Sequence, residues 1–195
     1  MSPKTKEQYQ EIRSRSMAMI KEVALELFAH NGYHSTSISQ ITKEAGISKG
    51  LIYNYFSGKE DLLNAIIMDA VNLAEELLEK HLTETTDPKV QLRGLTEVSF
   101  EMVKKNLHYW KLLTSLAFQT DVLSHQEDFL KAKQEMAIAK FVGIFEGLGV
   151  ADPQKEAYFY GAVMDGIMIN YMQMTDNYPL DEMKEFVLKR YNLIK

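Results

Sequence analysis

At 195 residues the chain is long enough for one or two domains with real cores. Its 46% hydrophobic and 25% charged residues are those of an ordinary globular protein, and the absence of cysteine excludes disulfides, thiolate metal sites and a cysteine nucleophile. The net charge of −5 hides an asymmetry: residues 1–60 hold eight bases against six acids, or +2, and the remainder 14 against 21, or −7.

The start, MSPKTKEQYQEIRSR, lacks the apolar run of a signal peptide, so a cytoplasmic protein is expected. Residues 1 to about 8 read as a polar arm. From about Gln8 to Ala29, Met17, Ile20, Val23, Ala24, Leu27 and Phe28 recur at helical spacing, and Asn31-Gly32 stops the run. This helix is expected to pack across the next two, with Phe28, Tyr33 and Phe56 in the core.

Ser37 with Gln40 three residues later is a capping box, so a helix starts there. Ile38, Ile41 and Ala45 give it one apolar face, and Gly46 ends it. Ile47 reads as a buried pivot. Ser48 caps a second short helix, Lys49 to about Phe56, and Ser57 with Glu60 forms another capping box that opens a third. Two short helices joined by a tight glycine-containing turn make a helix-turn-helix. On the second of them Leu51, Ile52 and Phe56 pack inward, leaving Ser48, Lys49, Gly50, Tyr53, Asn54 and Tyr55 outside. Hydrogen-bonding and flat aromatic groups, one cation and a glycine for close approach suit a DNA major groove. With so little positive charge, binding is expected to rely on docking geometry and paired subunits.

The run GY-x-x-TSI-x-x-I-x-x-x-AGISKG-x-IY-x-YF-x-x-KE-x-L, from Gly32 onward, resembles the DNA-binding region of the TetR family of bacterial transcriptional regulators. The resemblance covers about the first 75 residues; one small departure is Thr42, where the family commonly has alanine. It implies that Tyr53 and Tyr55 contact phosphates, as does Lys59 of the KE pair. It places Lys49 and Gly50 near the bases or backbone, and has Ser37 and Ser48 offer capped helix N-termini to phosphates.

A long helix is expected from Ser57 to about Leu82. Its apolar stripe, Leu62, Leu63, Ile66, Ile67, Ala70, Val71, Ala74, Leu77, Leu78 and Leu82, outlasts the small bundle, so it should link two domains. Asp87-Pro88 opens a helix to about Lys105. LHYWKLLTSLAF follows as a short apolar helix, and Thr120 to His125 as a turn. A helix from about Gln126 to Gly147 comes next. Asp152-Pro153 starts another, and a last one runs from near Leu180 to about Leu193. The fold class is therefore all-α with about nine helices. A helix-turn-helix domain spans 1–60, with the connecting helix reaching about 75, and a ligand-binding and dimerisation domain spans 61–195.

No pair of the five histidines has metal-ligand spacing, no glycine-rich phosphate loop appears, and nothing marks a nucleophile. An enzyme is thus not expected, nor a metal or cofactor. The aromatic and methionine load past residue 98 reads mostly as core. The resemblance implies an effector pocket there, and Phe100, Tyr109, Trp110, Phe118, Met164, Asp165 and Met168 are its candidate residues, with an apolar or aromatic small molecule as ligand. From Ala157 to Thr175 only Asp165 is charged. That residue is either a hydrogen-bonded structural carboxylate or a pocket group. A helix so apolar needs a partner, and a second copy of the chain is the expected one. Tyr158, Gly161, Ala162, Ile169, Met172, Met183, Phe186 and Val187 are the expected dimer contacts, and the resemblance implies the same four-helix interface. The expected partners are a pseudo-palindromic DNA operator, a small-molecule effector and the chain itself, with no membrane. A helical protein-interaction module without operator binding, or a helical enzyme or carrier, are the other readings.

Overall fold

The computed structural model describes residues 5–119 and 126–194, and the turn expected over Thr120 to His125 lies outside them. Nine α-helices and one 3-10 turn make up the described residues. Helix α1 (Lys6–Asn31) begins earlier than its apolar periodicity because Thr5 and Gln8 form a capping box, each side chain accepting the other's backbone N–H at 3.3 and 3.0 Å. It ends at Gly32, whose φ of 85° only glycine adopts cheaply. Helix α2 (Ile38–Glu44) starts on the Ser37–Gln40 box and stops before Gly46, φ 65°.

Helix α3 (Lys49–Tyr53) is shorter than the expected stretch to Phe56. The reason is local: the amides of Tyr55 and Phe56 both bond to the Ile52 carbonyl, at 3.0 and 2.9 Å, so the chain tightens there and turns Phe56 inward. Helix α4 (Lys59–Glu84) starts two residues past Ser57, and the Ser57–Glu60 box is not formed. Because the helix begins at Lys59, Asp61 takes the third position. Its carboxylate accepts from the Ser57 N–H at 2.8 Å and the Ser57 hydroxyl at 3.1 Å. Helix α5 (Pro88–Lys105) and helix α8 (Pro153–Met174) open as expected, with Asp87 and Asp152 capping ahead of proline. Between them lie α6 (Leu107–Ala117) and α7 (Glu127–Gly147); a 3-10 turn (Thr175–Asn177) and α9 (Leu180–Arg190) close the chain. Helix α9 stops short of Leu193, although Leu193 is still buried.

The chain divides into two compact units. One comprises the described residues of Met1–Asn72 and Leu112–Val122; its interior holds Ile20, Ala24, Leu25, Phe28, Ile41, Ile52, Phe56, Leu62, Leu63, Ile66, Leu112 and Leu116. Thr36 and Thr42 are buried with them, and each hydroxyl is satisfied: Thr36 donates to Gly32 O at 2.9 Å and Thr42 to Ser39 O at 3.1 Å. The other comprises Leu73–Lys111 and the described residues of Leu123–Lys195. Phe100, Phe145, Tyr160, Ile144, Leu92 and Ile167 lie at the centre of its core. In it Tyr160 shares a hydrogen bond of 2.9 Å with Thr96, and Tyr191 donates to Glu156 at 2.7 Å. Lys133 pairs with Glu75 at 2.6 Å and Lys140 with Glu79, which ties α7 to the end of α4. The apolar stripe of α4 is not continuously buried: Asn72, Leu73 and Ala74 are exposed where one unit gives way to the next in sequence.

Candidate nucleic-acid interface

Helices α2 and α3 stand on the first unit because their inward residues are fully covered. Ile41 and Ile52 expose nothing and Phe56 only 3%, while Ile47 at the turn is half-buried rather than buried. What α3 leaves outside is the expected set. Ser48, Lys49, Gly50, Tyr53 and Asn54 are exposed, Tyr53 by 54%, and Tyr55 is half-exposed. Ser48 caps α3 by accepting the Leu51 N–H at 3.2 Å. The Ser37 hydroxyl is similarly occupied by Gln40, accepting its N–H at 3.3 Å and donating to its Oε1 at 2.8 Å. Lys49 has no acidic partner among the described residues, so its charge is available to an anion.

Lys59, expected at a phosphate, holds the loop between α1 and α2 in the DNA-free chain. Its ammonium donates to Tyr33 O and Thr36 O, each at 2.8 Å, and to His34 O at 3.4 Å, and it lies 4.4 Å from the centroid of the Tyr33 ring. All three N–H donors point at the loop between α1 and α2. Burial pulls its pKa below the ordinary lysine value. Burial, then the nearby Glu60 carboxylate, pushes the Tyr33 hydroxyl up. The lysine is a clasp: it fixes the loop that leads into α2.

Two residues of this unit went unnoticed in the sequence. Gln119, just past α6, donates to Phe28 O at 2.9 Å and accepts from the Tyr33 N–H at 3.0 Å, closing the same loop from the other side. Arg13 of α1 holds its guanidinium 5.1 Å from the centroid of the Tyr55 ring. Neither partner lies within a helical turn of the other in sequence, so no spacing rule points to them.

The expected effector residues do not gather at one place. Phe100 and Met164 are buried in the core of the second unit, with Trp110 and Met168 packed against it. Tyr109 meets Trp110 edge-on at 5.2 Å. Phe118 belongs to the other unit and is 72% exposed, because α6 has already ended and the chain is turning. Asp165 is exposed on α8 rather than turned into that core; burial by its neighbours still raises its carboxyl pKa. An open groove of about 600 Å³ runs between α7 and α8, lined by Glu135, Ile138, Val142, Gly143, Glu146 and Tyr158, and none of the expected pocket residues lines it.

Of the expected dimer contacts, Tyr158 (55%), Ala162 and Phe186 (62%) are exposed, as is Phe159 beside them. Gly161 and Ile169 are half-buried. Met172 and Met183 pack against their own core, and Val187 is 3% exposed, so it is an interior residue of α9 and is withdrawn from the contact face. A Cβ added at Gly161 or Gly166 meets no atom within 4 Å, so α8 has free space on the side where these glycines lie. No group of three or more histidine or acidic side chains among the described residues is arranged to hold a metal ion. No helix among them is long and apolar enough to cross a membrane.

Residues 20–66 match the family described as bacterial regulatory proteins, tetR family. The chain is 28% identical over 136 residues to the fatty acid metabolism regulator protein of Bacillus subtilis (strain 168), covering 70% of this chain and 66% of that one. It is 34% identical over 94 residues to the HTH-type transcriptional regulator BetI of Yersinia pestis (strain Pestoides F), covering 47% and 43%. The alignments thus span about half to two thirds of the length of these curated relatives. Among solved structures it superposes on the FadR regulator from Bacillus subtilis in complex with stearoyl-CoA, with a TM-score of 0.71 over 89% of this chain and 96% of the other, at 23% identity. That likeness establishes the fold.

Proposed function

We propose that this chain is a regulator of the TetR type, a cytoplasmic DNA-binding protein that acts as a homodimeric repressor released from its operator by a small apolar or aromatic ligand. One observation carries the DNA-binding reading. Helix α3 is anchored by Ile52 and Phe56 and turns Lys49, Tyr53 and Asn54 to solvent, with Ser48, Gly50 and Tyr55 beside them. In this reading the two tyrosines and Lys49 position the helix on phosphates, while Asn54 and the backbone at Gly50 lie against base edges.

The dimer reading rests on the exposed apolar face of α8 and α9. Tyr158, Phe159, Ala162 and Phe186 are exposed apolar groups on these helices, and the open space at Gly161 and Gly166 leaves room for a second helix. Two subunits then present two α3 helices to successive major grooves of a pseudo-palindrome. The ligand reading rests on the fatty-acid regulators among the relatives. A long-chain acyl thioester is the first ligand to try. An effector releases operator only through unequal affinity for the bound and free states, so operator must weaken ligand binding by the same factor.

The test is a binding titration with duplex from upstream of the protein's own gene. Lys49→Ala and Tyr53→Ala should each weaken operator binding by roughly tenfold, about 1–2 kcal/mol, with unchanged thermal unfolding, because both side chains are exposed. Wild-type affinity in both variants would remove α3 from the DNA. Failure of the wild type to bind would favour a protein-interaction role for the same surface.

A further inference from the structure

Helix α1 carries a charged and aromatic stripe that no DNA-contact assignment above uses. It extends 14 residues ahead of the family match, which begins at residue 20. Residues 6–15 are exposed throughout. At three- and four-residue steps Lys6, Tyr9, Arg13 and Ser16 fall on one line of the helix, and Ile20 and Ala24, both fully buried in the first unit, continue that line. The side of α1 that grips the helix-turn-helix is therefore the side that carries Arg13, Tyr9 and Lys6 beyond it. Glu7, Glu11, Glu22 and Glu26 lie on the opposite side, where Arg15 is already paired with Glu11 at 2.6 Å. The helix thus keeps its acids away from the helix-turn-helix and places Lys6 and Arg13 on the line that touches it.

Arg13 ends that line over Tyr55, its guanidinium 5.1 Å from the ring centroid, and has no acidic partner among the described residues. A cation–π contact with the ring consumes none of the guanidinium's N–H donors, and no hydrogen bond or ion pair of Arg13 occupies them among the described residues. Tyr55 lies two residues past the end of α3, so Arg13 stands at the C-terminal end of the helix proposed to face DNA. We propose that Arg13, held by Tyr55, binds a DNA phosphate beside α3, and that the start of α1 is a second backbone clamp, with Lys6 and Tyr9 along the same strand. This inference rests on the DNA-binding reading above.

The experiment measures affinity of the full-length protein for two duplexes of equal length, the region upstream of its own gene and a random sequence, between about 50 and 200 mM salt. Arg13→Ala should weaken both several-fold and lower the slope of log K against log salt by about 0.9 per bound subunit. Arg13→Lys should keep the slope, since the charge remains. Arg15→Ala should match the wild type, because that guanidinium serves Glu11 on the far side. Arg13 is exposed, so circular dichroism and thermal unfolding should be unchanged. A wild-type slope for Arg13→Ala on both duplexes overturns the proposal while leaving α3 on the DNA. A wild type that binds neither duplex, even at low salt, overturns the DNA-binding reading and this inference together.

Discussion

Replacing Lys59 by methionine separates two roles for that side chain. Its ammonium makes two hydrogen bonds of 2.8 Å to Tyr33 O and Thr36 O, a third at the limit of length to His34 O, and a contact with the Tyr33 ring. A charged donor to a half-exposed carbonyl contributes about 1 kcal/mol net, less than in a dry interior because the freed carbonyls regain water. Two good bonds and a cation–π contact of about 0.5 kcal/mol then sum to about 2–3 kcal/mol. The assay is urea unfolding of wild type and Lys59→Met. The midpoint should fall by an amount that corresponds to that loss, with an unchanged m-value, since the buried surface is the same. Operator binding, measured where the variant is fully folded, should keep the wild-type salt slope, because no phosphate contact has been removed. An unchanged urea midpoint together with a slope lower by about 0.9 would refute the clasp and return Lys59 to a phosphate.

Two further outcomes follow from the same geometry. Gly161→Leu should lower the mass seen by light scattering from dimer to monomer at micromolar concentration while leaving the subunit folded, since a Cβ at 161 meets nothing within 4 Å of its own chain; a wild type that is monomeric to begin with would end the dimer reading. Burial pushes the Tyr160 hydroxyl up to about 12, with its bond to Thr96 pulling the other way. A folded-state pKa raised above the unfolded 10 gives stability that is complete below pH 10 and lost as pH rises through about 12. Unfolding free energy should therefore fall between those values. Tyr160→Phe should flatten that fall at a cost of roughly 1 kcal/mol at neutral pH, and a variant that keeps the full alkaline loss would show that another group causes it.

Much of this fold was legible in local sequence. Ser37, Ser48, Asp87 and Asp152 cap helices through bonds that span two or three residues, and Gly32 and Gly46 supply positive φ where the chain turns. Such contacts are set by neighbours in the chain and need no knowledge of the rest. The helix-turn-helix and the exposure of Lys49, Tyr53 and Asn54 followed from them. Local rules slipped by one register at Ser57, where Asp61 rather than Glu60 completes the cap, because spacing alone does not say at which residue the helix starts.

The candidate effector residues show the opposite limit. Phe118 and Phe100 read alike in sequence, as large apolar groups in apolar helices, yet one is 72% exposed and the other has no exposure at all. Composition identifies what is able to be buried; packing decides what is. The same division holds for the polar groups. Sequence by itself determined the helices, the caps at Ser37, Ser48, Asp87 and Asp152, and the outward face of α3. Only the tertiary structure decided that the ammonium of Lys59 answers carbonyls 23 to 26 residues away, that Gln119 reaches back 86 and 91 residues to the same loop, and that Arg13 lies over Tyr55. A side chain's bond within its own helical turn is fixed by helix geometry. A bond across the chain depends on where every intervening element has packed.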